Sequence, residues 1–176
     1  MSDLYVSWSD YHQAIESLAA KIYNAEWQFN QIVCLARGGL RIGDILSRIY
    51  HTPLAILACA SYKGSGGRVR GEIQFATHLT MTTEKLGSRV LLVDDLVDSG
   101  VSLQESLLWL KRHYGTDIQE MKTAVLWYKS CSVIAPDYYV EYLADSPWIH
   151  QPFELYEEMS PVEVAQKNMK AESAIH

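Results

Sequence analysis

A short apolar run that ends in two adjacent carboxylates limits the possible folds of this chain more than any other feature. Residues 89–93, RVLLV, are followed directly by Asp94 and Asp95. An apolar run of this length without alternation is typical of a strand that is buried on both faces in a parallel sheet. Leucines at helical spacing over 103–110 then predict a helix that ends near Gly115. A strand, an acidic loop and a helix therefore follow one another.

The same alternation of strand and helix extends along most of the chain. Asp10 and Gln13 resemble a capping pair for a first helix that continues through Ile22, and Ser160 with Glu163 forms a capping box for a last one. Further apolar segments predict strands at 32–36, 53–60, 72–79, 121–128 and 138–143 and a helix at 40–49. This order predicts an α/β fold, a mainly parallel sheet flanked by helices, in a single domain spanning 1–176.

Two segments do not fit this alternation. Residues 61–71, SYKGSGGRVRG, combine four glycines with Lys63, Arg68 and Arg70. Such a basic, glycine-rich loop is typical of a lid over phosphates, and with the strand that follows it predicts an antiparallel flap over 61–80. A small hood is predicted at about 137–158.

Composition and charge exclude several classes of function. The net charge is −6 and the pI is near 5.5, which argues against a general binder of nucleic acids or anionic membranes. Cys34, Cys59 and Cys131 are widely spaced in apolar surroundings, which predicts buried, reduced thiols instead of a disulfide or CxxC metal site. No apolar segment approaches the length of a membrane span, and we expect a cytoplasmic protein.

Chemically rich segments follow three of the predicted strands: ARGG at 36–39, the basic loop at 61–71 and DDLVDSG at 94–100. Ligands of open parallel sheets bind at the carboxyl ends of the strands, so we expect the three loops to meet there. Ser99, Gly100 and Ser102 stand at the start of a predicted helix, where the free backbone N–H groups and the helix dipole favour a phosphate. The repulsion between the carboxylates of Asp94 and Asp95 would be compensated by ribose hydroxyls and by Mg²⁺ on a polyphosphate. The simpler alternative is that both residues are acidic caps at an ordinary strand end.

Two other phosphate-binding classes are excluded by pattern. Too few residues follow Asp95 for a receiver-type phosphoacceptor domain, whose acidic pair lies after its first strand. The chain also contains no GxxxxGK[ST] sequence, which excludes a P-loop nucleotidase.

Residues 90–103, VLLVDDLVDSGVSL, resemble the phosphoribosyl diphosphate (PRPP) signature of type I phosphoribosyltransferases. LARGG at 35–39 is similar to the pyrophosphate loop of that family, and SYKGSGGRVRG is similar to its catalytic flap. Lys129 and the segment 148–154, WIHQPFE, resemble the purine site of the xanthine-guanine and hypoxanthine-guanine branch. The resemblance covers about residues 30–155.

The resemblance implies roles for particular residues. Asp98 would face the purine N7 as general base or hydrogen-bond anchor, and Arg37 and Lys129 would also take part in catalysis. The phosphate and ribose of PRPP would be held by Asp94, Asp95, Ser99, Gly100, Val101 and Ser102. Pyrophosphate would be contacted by Arg37, Gly38, Ser61 and Tyr62. The family pattern also implies a non-proline cis peptide bond between Ala36 and Arg37.

The resemblance further implies a base site and a metal. Lys129 would donate to a 6-oxo group, Trp148 would stack on the base and the backbone of Ile149 would meet the 2-position. Mg²⁺ would be held by Asp94, Asp95 and Glu154, where Glu154 stands in place of the aspartate of the most similar enzymes. The residues alone leave simpler alternatives: Lys129 as a surface lysine, Trp148 as a core residue and His150 as an exposed loop histidine.

The resulting hypothesis is a Mg²⁺-dependent purine salvage enzyme. It would transfer the phosphoribosyl group of PRPP to guanine, xanthine or hypoxanthine, giving a nucleoside 5′-monophosphate and pyrophosphate. The alternatives are a PRPP-binding regulatory protein without turnover and a phosphoribosyltransferase for another base. We expect small-molecule substrates, no nucleic-acid or membrane partner, and a homodimer or homotetramer of the kind that the resembling family forms.

Overall fold

The fold was analysed in a computed structural model that describes residues 3–61 and 73–173. Its strands are β1 (Leu4–Tyr5), β2 (Gln31–Ala36), β3 (Leu54–Ser61), β4 (Ile73–Phe75), β5 (Arg89–Val93), β6 (Leu96–Val97), β7 (Glu120–Lys129), β8 (Tyr138–Leu143) and β9 (Ile149–His150). Its helices are α1 (Trp8–Asn24), α2 (Leu40–Tyr50), α3 (Val101–Tyr114), α4 (Leu155–Glu158) and α5 (Pro161–Ser173).

The larger sheet joins seven of the described strands, and most of its pairings are parallel. The order is β4-β3-β2-β5-β7-β6, with β8 pairing with β7 as well. The neighbours β2, β5 and β7 run parallel, with Val33 opposite Leu92 and Leu92 opposite Thr123. Their carboxyl ends therefore share one edge of the sheet. The predicted α/β class with a mainly parallel sheet is confirmed.

The core consists of the apolar strands and of the helix faces that cover them. Burial is nearly complete for Leu35 on β2, Leu57 on β3, Leu92 on β5, Val125 on β7 and Leu110 on α3. Burial of a leucine-sized side chain contributes about 1.5–3 kcal/mol. The continuous apolar runs in the sequence correspond to these strands because the sheet is covered on both faces.

The helix ends match the sequence signals in one case and differ in another. Ser160 and Glu163 form the predicted capping box of α5, with the hydroxyl of Ser160 donating to Glu163 Oε2 at 2.8 Å. At α1 the predicted capping pair of Asp10 with Gln13 is wrong. Ser7 caps this helix instead: Asp10 N donates to Ser7 Oγ at 3.1 Å, and Ser7 N donates to Asp10 Oδ2 at 3.1 Å. The box therefore begins three residues before the predicted position.

The strands after residue 60 differ from the prediction in four places, one of which is the short strand β9, which no periodic pattern predicts. The strand predicted at 72–79 is shorter, because β4 ends at Phe75, although its antiparallel pairing with β3 agrees with the expected flap. The short strand β6 was not predicted, since two residues carry no periodic pattern. β8, which we assigned to the hood, pairs in parallel with β7 and belongs to the main sheet. Residues 62–72, which include most of the basic loop, lie outside the described part of the chain.

The chain groups into two compact units. One comprises 13–146 and contains the large sheet. The other comprises 1–12 and 147–176, where β1 pairs in parallel with β9. The expectation of a single domain stays a prediction.

The cysteines are free thiols, as predicted, but they differ in exposure. Cys34 is buried and Cys59 is half-buried, whereas Cys131 is exposed in the turn after β7, so its predicted burial is wrong. Burial raises the pKa of the Cys34 thiol to about 12 and that of Cys59 to about 11. Within the described ranges, no helix has the length and apolar character needed to cross a membrane.

Candidate active site

The end of β2 leads into a tight turn that carries the predicted pyrophosphate loop. The peptide bond between Ala36 and Arg37 is cis, which confirms the expected geometry. A Cβ atom on Gly38 would collide with the carboxylate of Asp95 and would lie 2.8 Å from Asp94 Oδ1. A side chain at this position would require the two carboxylates to move, so glycine lets the backbone of this loop lie close to the acid pair. The Arg37 side chain is exposed at the same edge.

The acid pair lies at the end of β5, beside this turn. Asp94 N donates to Ala124 O on β7 at 3.1 Å, and Asp95 N donates to Asp94 Oδ1 at 3.0 Å. Burial, and after it the neighbouring carboxylate of Asp95, raises the pKa of Asp94 well above its usual range. Such a pair is unfavourable unless a cation or a hydroxyl group compensates it.

The loop that follows leads into the amino terminus of α3. Gly100 lies in the left-handed region with φ 80° and ψ −6°, and it begins the helix without a side-chain cap. Val101 N makes only a long hydrogen bond of 3.5 Å to Ser99 Oγ, and the dipole of this 14-residue helix favours an anion at its amino terminus. This agrees with the expected placement of the phosphate at Ser99–Ser102.

Lys129 is the last residue of β7 and is 5% exposed. Its Nζ lies 3.4 Å from Oδ1 of Asp98, whose side chain is 60% exposed. A buried ammonium group is costly unless it is paired, and Asp98 supplies the opposite charge here. The alternative of a solvated surface lysine is thus wrong. Two of the side chains that the resemblance assigns to the base, Asp98 and Lys129, therefore lie together.

The turn after β7 also contacts this region and was not predicted to do so. Cys131 Sγ lies 3.5 Å from Asp98 Oδ1 and 3.6 Å from Asp98 O. Val133 N donates to Ser99 O at 2.9 Å, and a Cβ on Gly100 would collide with Ser132 Oγ. The turn therefore supports the loop that the resemblance assigns to the phosphate. Its sequence carries no motif, and only its position after Lys129, at the end of a parallel strand, could have indicated a role.

The remaining predicted residues lie in the other unit or at the end of β3. Trp148 is 63% exposed, which excludes the alternative of a core tryptophan, and Ile149 is buried on β9. Glu154 Oε2 lies 3.6 Å from Nδ1 of His150, and its expected role toward a metal stays a prediction. Ser61 is the last residue of β3, and Tyr62 lies outside the described residues. His150 is part of β9 and half-buried, so its assignment to an exposed loop is wrong.

Comparisons with known proteins agree with this geometry. The family model described as the phosphoribosyl transferase domain matches residues 7–158. A xanthine-guanine phosphoribosyltransferase of Idiomarina loihiensis is 29% identical over 155 residues, which cover 88% of each chain. Among solved structures, a purine phosphoribosyltransferase from Pyrococcus horikoshii is 29% identical with a TM-score of 0.68, covering 87% of this chain and 94% of that one. A xanthine-guanine-hypoxanthine phosphoribosyltransferase of Helicobacter pylori shares the fold at 23% identity and a TM-score of 0.69, covering 97% and 99% of the two chains.

The fold defines an α/β protein of the class whose ligands bind at the carboxyl edge of a parallel sheet. Within that class, the chain belongs to the phosphoribosyltransferase family, and it is a transferase.

Proposed function

We propose that this chain transfers the phosphoribosyl group of PRPP to a 6-oxopurine, namely guanine, xanthine or hypoxanthine. The observation that supports this most is the buried Lys129 paired with Asp98 at the carboxyl end of β7. An ammonium group has three donors and no acceptor, so it suits a 6-oxo group and opposes the 6-amino group of adenine. The two relatives with 29% identity, one named as a purine and the other as a xanthine-guanine phosphoribosyltransferase, support a purine, and the second of them supports a 6-oxopurine.

PRPP would lie along the edge formed by β2, β5 and α3. The amino terminus of α3 would hold the 5′-phosphate, and Arg37 with the backbone of Gly38 would bind the pyrophosphate. The positive charge of Arg37 would stabilise the negative charge that develops on the pyrophosphate as it leaves. These roles agree with the open helix start at Gly100 and with the close approach of Gly38 to the acid pair.

The acid pair fits a Mg²⁺ ion that takes its other ligands from PRPP and water. Mg²⁺ prefers oxygen ligands and is commonly bound by one or two carboxylates together with substrate phosphates. Among the described residues, no three metal-ligating side chains lie close enough to form a complete protein site. Asp94 and Asp95 would hold the ion, which when bound neutralises charge on the pyrophosphate.

The transfer forms a bond between the purine N9 and C1 of the ribose, while the bond from C1 to the pyrophosphate oxygen breaks. We expect oxocarbenium character at C1 in the transition state. The purine must lose one proton, and Asp98 would accept it at N7. Lys129 would polarise the 6-oxo group and orient the base for attack.

A rival function on the same fold is a regulatory protein that binds PRPP without turnover. Pyrophosphate release from PRPP and Mg²⁺ should be measured with guanine, hypoxanthine, xanthine, adenine and uracil, and PRPP binding should be measured by titration calorimetry. The proposal predicts release with the 6-oxopurines. PRPP binding without base-dependent release would support the regulatory protein, and release with adenine or uracil alone would assign another base.

A further inference from the structure

The amino-terminal strand fixes which way the backbone of β9 faces. Leu4 N donates to Trp148 O at 2.8 Å, and Val6 N donates to His150 O at 3.0 Å. Successive residues of a strand direct their backbone groups to opposite edges. Since Trp148 and His150 face β1, the N–H and C=O of Ile149, which lies between them, face the opposite edge of β9.

The same amino-terminal segment holds the side chain next to Ile149. The ring of Tyr5 stacks on that of His150, with centroids 4.4 Å apart and planes 13° apart. His150 Nε2 lies 3.0 Å from Asp3 Oδ2, and because a carboxylate only accepts hydrogen bonds, Nε2 carries the proton in this contact. We call Asp3, Tyr5 and His150 the His150 clamp.

The His150 clamp contributes little to the core. Tyr5 is 73% exposed and Asp3 is exposed, so their removal uncovers little apolar surface. Exposed substitutions usually change the free energy of unfolding by less than about 0.5 kcal/mol. The aromatic ring and the carboxylate therefore act mainly on the position of His150 and of the strand that contains it.

We infer that Asp3 and Tyr5 are positioning residues for base selection: by holding β9 they place the Ile149 carbonyl that receives the 2-amino group of guanine. This inference rests on the proposed function and on the expectation, which the resemblance implies, that the backbone of Ile149 meets the purine 2-position. Hypoxanthine has no 2-amino group and makes no such bond. Loosening the clamp should therefore weaken the use of guanine and leave the use of hypoxanthine nearly unchanged.

The test compares kcat/KM for guanine and hypoxanthine at saturating PRPP in six proteins: the parent, Tyr5→Ala, Tyr5→Phe, Asp3→Ala, Asp3→Asn and the control Tyr23→Ala. Phenylalanine keeps the stacked ring, and asparagine keeps an acceptor for Nε2. Tyr23 is a matched control, since it is 76% exposed on α1. Thermal melts verify that each variant is folded, and the two alanine variants test the inference separately.

We expect both alanine variants to lower the guanine-to-hypoxanthine ratio about 3- to 10-fold, the effect of one neutral hydrogen bond. The phenylalanine, asparagine and control variants should keep the parental ratio. An unchanged ratio in the alanine variants, or an equal loss for both bases, would overturn the inference. A parent that converts no purine at all would instead contradict the proposed function.

Discussion

Asp98 combines contacts that no pattern in the sequence reports. Lys129 Nζ and Cys131 Sγ approach the same carboxylate oxygen, at 3.4 and 3.5 Å. The carboxylate is nevertheless largely exposed, so a ligand can reach it. A group that is held in place by neighbours but open to solvent is suited to accept a proton from a bound base.

Replacing Asp98 by asparagine should lower kcat about 10²- to 10⁴-fold, because the amide cannot accept the purine proton. The affinity for PRPP should change little, since the phosphate is bound elsewhere. Steady-state kinetics and calorimetric titration with PRPP measure the two effects. The matched control is Asp145→Asn at an exposed position. A parental kcat in Asp98→Asn would refute the proposed role of this carboxylate.

Alkylation under native conditions should distinguish the three thiols. Cys131 is exposed and should react with iodoacetamide near pH 7.5, whereas burial and the raised pKa of Cys34 and Cys59 should keep these two unmodified until unfolding. Labelling should inhibit the enzyme, because the adduct would lie beside Asp98. Peptide mass spectrometry with activity assays checks this. The variant Cys131→Ser should keep its activity after treatment with iodoacetamide. Full activity of the parent after complete labelling of Cys131 would show that this side of Asp98 does not contact substrate.

Asp94 should make the ligand-free protein less stable at neutral pH. Its raised pKa means that the folded state favours the protonated carboxyl, so the stabilising contribution is present at low pH and is lost as the pH rises through the raised pKa. Asp94→Asn should therefore raise the free energy of unfolding at pH 7 by on the order of 1 kcal/mol. The gain should vanish near pH 3, where the unfolded carboxyl is also mostly protonated.

Urea denaturation of the ligand-free protein at the two pH values measures this difference. Asp145→Asn again serves as the exposed control. Equal stability of Asp94→Asn and the parent at pH 7 would mean that the acid pair is already compensated without ligand.

The start of α3 depends on one backbone conformation, the positive φ of Gly100. Its start at Gly100 could be predicted from the sequence, because an Asp-Ser-Gly segment precedes leucines at helical spacing. The packing of the turn after β7 against Gly100 could not, since it joins residues far apart in the chain. Local signals thus predict an element, whereas long-range contacts determine what supports it.

Gly100→Val should abolish detectable binding of PRPP. A branched side chain disfavours the positive φ, and its Cβ would collide with Ser132 Oγ and lie 2.8 Å from Ile134 Cγ2. Calorimetric titration with PRPP and Mg²⁺ measures the loss, and a thermal melt reports whether the variant is folded. Gln104→Ala, an exposed position on the same helix, should bind as the parent does. Unchanged affinity in Gly100→Val would show that the phosphate lies elsewhere.

In the molecule as a whole, the central strands of the sheet were predicted from the sequence more accurately than its outer strands. The buried runs of β2, β5 and β7 are unambiguous because both faces of these strands are covered. The parallel pairing of β8 with β7 was not expected, because residues 130–137 form a shorter connection than parallel neighbours usually need, and the pairing leaves Tyr139 and Tyr142 exposed. For the site, the sequence predicted which residues lie at the ends of strands. It did not predict that Lys129 pairs with Asp98, which only the structure shows. The expected homodimer or homotetramer stays a prediction.

We expect the buried Lys129 to select a 6-oxopurine for transfer, and a comparison of guanine with adenine tests this directly. It is the ratio of kcat/KM for guanine to that for adenine, with PRPP and Mg²⁺, in the parent and in Lys129→Gln. The parent should favour guanine by at least about 10- to 100-fold, because the 6-amino group of adenine cannot accept from the N–H groups of the buried ammonium that Asp98 leaves available. Lys129→Gln should reduce this ratio, since an amide offers either a donor or an acceptor. A parent that prefers adenine, or a ratio that Lys129→Gln leaves unchanged, would show that Lys129 does not select the base.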